Sequence, residues 1–116
     1  MTDDTVKKVD ASAAPTGELG QEYLVSGTRV ALRRWKQQQP GGDITPHTRD
    51  YETVGYVIQG RVRVHLGADH VELGPGESWL VPAGAEHAYE ILEPLTAVEA
   101  TAPPARVDDR DAPPSS

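Results

Sequence analysis

Between Thr28 and Thr101 the chain is a succession of short apolar alternations, each cut off by Gly or Pro, and nowhere does it sustain the 3.6-residue apolar period of a helix. Thr28–Trp35 alternates apolar with polar or small residues, and Gln39-Pro40-Gly41-Gly42-Asp43 breaks it. Thr53–Ile58 is rich in β-branched and aromatic residues, and Gln59-Gly60 turns it. Arg61–Leu66 alternates cleanly, which buries one face and wets the other. Gly67-Ala68-Asp69 reads as a hairpin turn, His70–Leu73 pairs back, and Gly74-Pro75-Gly76 turns again. Ser78–Pro82, Ala88–Leu92 and Leu95–Thr101 supply the last strands. Many short strands at near-regular spacing predict an all-β sandwich or barrel.

The chain has 116 residues, enough for one small core. Residues 1–18 and 102–116 are polar and rich in Pro, Gly or charge, with too little apolar surface to repay ordering. Both are expected to be disordered tails around a barrel domain at 19–101. The net charge of −7 disfavours nucleic acid as a partner. Arg29, Arg33, Arg34 and Lys36 cluster, but three of them are consistent with the solvated face of a strand. No run reaches the ~20 apolar residues of a membrane span, and the first residues lack a signal-peptide core, so a cytoplasmic protein is expected. Cysteine is absent, which leaves imidazole, carboxylate or water to hold any metal.

The stretch Gly76–His87 reads G-x5-P-x-G-x2-H. It closely resembles the second motif of the cupin family, whose fold is a double-stranded β-helix, or jelly-roll, barrel. The family's first motif, G-x5-H-x-H-x3-4-E-x6-G, is matched by Gly41, His47 and Gly60. Arg49 stands at the second His, Thr53 at the Glu, and Ile91 at the last residue of the second motif. The resemblance therefore carries His47 and His87 over as metal ligands and leaves two positions altered. It implies one divalent metal (Fe, Mn, Ni, Zn or Cu) or none.

Strand parity bears on the altered positions. If His47 faces inward, so do Arg49, Tyr51, Thr53, Gly55 and Val57, while Glu52, Val54, Tyr56 and Ile58 face out. Gly55 then leaves a gap. A bulge nearby would be needed to swing Glu52 inward and complete a two-His-one-carboxylate set. An inward Arg49 opposes a cation: a guanidinium ~5 Å from a divalent ion costs about 6 kcal/mol at an effective dielectric of ~20. It suits an anionic group instead, through its planar fork. Arg49, Tyr51, Thr53 and Tyr89 are the expected ligand-binding residues, with His65 and His70 given no role. Trp35 and Trp79 read as core or dimer interface.

The expected function lies in the barrel mouth, holding a small anionic or polyhydroxylated molecule. The resemblance leaves two classes open. One is a metal-assisted enzyme of dioxygenase, isomerase, decarboxylase or lyase type. The other is a non-catalytic binding or sensing module. Small cupins commonly pair, so a homodimer is the expected assembly, with neither nucleic acid nor membrane as partner.

Overall fold

The computed structural model describes residues 7–17, 20–41 and 44–105. Among them are six strands and one 3-10 turn, Ala11–Ala13. The strands are β1 (Glu22–Ser26), β2 (Ala31–Gln38), β3 (Glu52–Leu66), β4 (Asp69–Leu73), β5 (Ser78–Val81) and β6 (His87–Ala102). The order is β1-β2-β6-β3-β4, with β5 also on β3, and every pairing is antiparallel. No helix among the described residues is long and apolar enough to cross a membrane.

Two breaks expected from the sequence do not break the chain. Gln59-Gly60 lies inside β3, and Glu93-Pro94 lies inside β6. Each pair of expected strands is one long strand. The β3–β6 register slips between Val57 and Gln59, between Gln59 and Arg61, and between Arg61 and Val62. Extra residues in a ladder bend it. Gly60 takes φ +91°, and a Cβ there would sit 2.0 Å from the Pro94 carbonyl oxygen. Glycine is thus required by both conformation and space.

The bend is large. Tyr89 and Glu99 lie on β6, and a straight strand would hold residues ten apart at ~33 Å. The Tyr89 hydroxyl nevertheless donates to Glu99 Oε2 at 3.3 Å. The two halves of β6 therefore face each other. β3 bends with it, and both long strands pass through both layers of a jelly-roll barrel, as expected.

The parity derived for β3 holds. Tyr51, Thr53 and Val57 are buried, while Glu52, Val54, Tyr56 and Ile58 are exposed. Val57, Val62, Val64, Leu73, Trp79, Val81, Leu95 and Ala97 form one core drawn from both layers. The gap at Gly55 is filled: a Cβ there would meet the Trp79 ring at 2.3 Å. The hairpin at Gly67-Ala68 closes β3 onto β4 with Leu66 opposite Asp69.

β1 went unread in the sequence; it pairs with β2 at Glu22–Arg34 and Tyr23–Arg33. Thr16 bridges to Glu22, and Ala105 is buried, its N–H donating to Thr101 Oγ1 at 3.0 Å. The expectation of disordered tails falls partly on residues 1–6, 18 and 106–116, which lie outside the described residues. So do Leu19, Gly42 and Asp43.

Candidate functional site

The P-x-G-x2-H spacing makes a tight turn. Ala85 N–H donates to the Pro82 carbonyl at 3.2 Å, and Gly84, at φ +79°, donates to the Arg49 carbonyl at 2.8 Å. That turn delivers His87 at the head of β6. His47 lies alongside it, with reciprocal backbone hydrogen bonds of 2.9 Å each way. The two imidazoles end 4.7 Å apart, centroid to centroid. Each ring is oriented from behind. His87 Nδ1 donates to the Ala85 carbonyl at 2.9 Å, and His47 Nδ1 donates to the Thr45 carbonyl at 3.3 Å. In the neutral tautomer this leaves both Nε2 atoms as bases.

His87 is buried, and burial is the main reason its pKa falls below 6.5; the nearby positive charges of His47 and Arg49 lower it further, against the Ala85 hydrogen bond and Glu99. The stability consequence has a definite sign. Below 6.5 and down to the folded-state pKa, the unfolded chain binds this proton and the folded chain does not. The contribution of neutral His87 is complete above that window and is lost as pH falls through it. His87→Asn should therefore lose less stability than the wild type between about pH 7 and about pH 5. Urea midpoints across that range read it, and parallel curves would refute it.

Arg49 is partly buried, and its charge acts on His87. Tyr51 and Thr53 are buried, with Tyr51 Oη accepting from Arg33 Nη1 at 3.4 Å. Tyr89 stacks edge-on to His87, with centroids 5.6 Å apart. Glu52 is exposed, and its pairing with Ala102 continues without a shift to Val57. The β3 bulges come only after Val57, too late to turn Glu52 inward, so the condition for its joining the histidines is not met.

Beside the histidines lies a cavity of about 350 Å³, lined chiefly by Trp35, Trp79, Tyr89, Ile91, Leu95 and Glu99. Of the expected ligand residues, only Tyr89 lines it. Its polar wall is a group that sequence reasoning passed over. Arg33, only 4% exposed, donates from Nε to Glu99 Oε1 at 2.8 Å. Trp35 Nε1 donates to the same oxygen. The Arg33 guanidinium also lies over the Trp35 and Tyr51 rings, at 5.4 and 5.5 Å. Tyr89 Oη accepts from Trp79 Nε1 at 3.4 Å; burial first, then Glu99, raises its pKa well above 10, so it stays protonated and donates. The available signal was parity: Leu95, Ala97, Glu99 and Thr101 alternate, and three of the four are ordinary inward residues.

The residues fit a resident metal poorly. Two imidazoles present Nε2, but among the described residues no three His, Asp or Glu side chains gather to hold an ion. Arg49 and Thr53 occupy the positions where further ligands would be needed. Two nitrogen ligands beside a guanidinium fall short of the two-His-one-carboxylate set. What the arrangement does bring together is two imidazoles 4.7 Å apart, with Tyr89 linking His87 to the cavity lining.

Comparisons with known proteins agree with this architecture. The cupin domain family model matches residues 35–100. No curated protein matches the chain by sequence. Among solved structures, an RmlC-like cupin from Shewanella frigidimarina is 15% identical, with a TM-score of 0.75 over 90% of this chain and 96% of that one. KdgF from a Halomonas species is 24% identical, with a TM-score of 0.66 over 73% and 80%. The polyketide cyclase RemF from Streptomyces resistomycificus is 20% identical, with a TM-score of 0.66 over 86% and 83%. At these identities the likeness is one of fold.

Proposed function

Because the chain belongs to the cupin domain family, we propose that it binds a small molecule at the open end of its barrel, with Arg49 anchoring an anionic group beside His47 and His87. The observation that carries this reading is the convergence of the two imidazoles 4.7 Å apart, with the Arg49 charge acting on the same site. The histidines serve there as acid/base or hydrogen-bonding groups, with His87 favoured in its neutral form because burial lowers its pKa.

The test is titration of the full chain with a panel of small carboxylates and sugar acids, alongside elemental analysis of protein purified without a His tag. A charge-assisted Arg contact contributes about 1.5–3 kcal/mol. Arg49→Ala should therefore weaken a bound carboxylate roughly 10–150-fold, and Arg49→Lys should recover only part of it, since an ammonium lacks the planar fork. A stoichiometric divalent metal lost on His47→Ala or His87→Ala would overturn the acid/base reading in favour of a metal-assisted enzyme.

For the expected homodimer, we propose the outer face of β2, β6, β3 and β5 as the contact surface. Leu32, Ala100, Val54 and Leu80 form one cross-strand row, with Tyr56 and Val98 paired in the next. Val54, Tyr56, Ile58 and Leu80 are each 47–50% exposed. An uncharged row of this kind complements itself across a two-fold axis and fits a second copy of the chain. Val54→Glu combined with Ile58→Glu should give a monomer by sedimentation velocity. A double variant that sediments like the wild type would remove this face from the assembly.

A further inference from the structure

The cavity itself carries chemistry that the histidine site does not use. Its interior is aromatic and aliphatic, with Trp35, Trp79, Tyr89, Ile91 and Leu95 around one carboxylate, Glu99. Its exposed lining residues, Gln39 and Gly41, mark where it meets solvent. At about 350 Å³ it lies near the lower end of small-molecule pockets and suits one or two fused rings. Among the described lining residues none is cationic, so an anionic group here would face Glu99.

Glu99 is not saturated. Among the described residues, Oε1 accepts from both Arg33 and Trp35, while Oε2 accepts the Tyr89 hydroxyl alone, at 3.3 Å. A carboxylate oxygen has two acceptor positions. We infer that this cavity binds a flat, uncharged ring bearing a hydroxyl group, the ring packed among Trp35, Trp79 and Tyr89 and the hydroxyl donating to Glu99 Oε2. The inference rests on the small-molecule reading above and deepens it. Arg49 selects what lies at the mouth, and Glu99 with the aromatic wall selects what enters. Arg33 pairs with the carboxylate at 2.8 Å and fixes its orientation, so a ring hydroxyl gains a charge-assisted bond, whereas an ether of the same shape leaves that position unfilled.

The probes are 2-naphthol and 2-methoxynaphthalene, titrated into the full chain by calorimetry. The ether is the more apolar of the two, so hydrophobicity alone would favour it. The expected result is 2-naphthol binding at least ~10-fold tighter. Leu95→Trp, which fills the cavity, should abolish binding of both probes. Replacing the ion pair as a whole, Arg33→Met with Glu99→Leu, should collapse the preference to under about 3-fold. Should that pair of changes prevent folding, Tyr89→Phe decides instead. It frees Oε2 of its present donor and leaves the ion pair intact, so the preference for 2-naphthol should persist or grow. Equal binding of the two probes, binding that survives Leu95→Trp, or loss of the preference in Tyr89→Phe would each overturn the inference. The mouth reading is judged separately, by the Arg49 dependence of carboxylate binding. If neither probe binds while that dependence holds, the cavity inference alone falls.

Discussion

Glu99→Ala is expected to cost about 3–5 kcal/mol, the ordinary consequence of removing one partner from a buried ion pair. Arg33 and Glu99 are 4% and 2% exposed and meet at 2.8 Å. Truncating Glu99 removes the carboxylate paired with a buried guanidinium that cannot be deprotonated, and it also strips the Trp35 and Tyr89 donors of their shared acceptor. Replacing both partners by apolar residues of similar volume, Arg33→Met with Glu99→Leu, should recover most of that loss, because no charge is then left unpaired. Urea denaturation of the three proteins measures it. A single-variant loss below about 1 kcal/mol would mean that water reaches Arg33 and that the network is not enclosed.

Gly60→Ala is the second large effect. The residue sits at φ +91°, and the added methyl carbon would lie 2.0 Å from the Pro94 carbonyl oxygen and 2.9 Å from the Leu95 Cα. The conformational penalty for a side chain at positive φ is roughly 1–2 kcal/mol, and forcing a methyl into filled space adds about 1–3. The neighbour is backbone of β6 rather than a side chain that can swing away. Together these predict a loss of about 2–5 kcal/mol. Since Gly60 and Pro94 face each other where both long strands bend, the variant should also loosen the cavity, and the midpoint of thermal unfolding should fall with it. Gly76→Ala is a useful contrast. It has a similar φ of +88° but nothing within 4 Å of its Cβ position, so it should lose only the conformational part. Equal losses at the two glycines would show that packing at the bend is unimportant.

The sequence carried the β class and the inward and outward parity of β3, because each depends on short-range rules; the pairing of His47 with His87 came from the resemblance to the cupin motifs. Period-2 alternation fixes which side chains share a face, and the spacing from Pro82 through Gly84 to His87 fixes a turn. Continuity was not legible. Gln59-Gly60 and Glu93-Pro94 have turn-like compositions, yet in the fold each strand gains more by continuing into the second layer than by ending, and glycine and proline mark bends instead. The fate of Glu52 likewise depended on where the register slipped, and only the partner strand sets that.

Arg33 and Glu99 are the clearest case of what tertiary structure alone decided. From Val30 into β2, Ala31, Arg33 and Trp35 alternate with Val30, Leu32 and Arg34, so either face could be taken for the core from composition. The barrel puts the arginine inside and leaves Val30 and Leu32 exposed. It can do so because Glu99 arrives opposite Arg33 on β6, sixty-six residues away in sequence. A charge enters a core only when its partner is already placed there. That pairing is a property of the strand register, and the sequence on its own determined just the alternation from which the register was chosen.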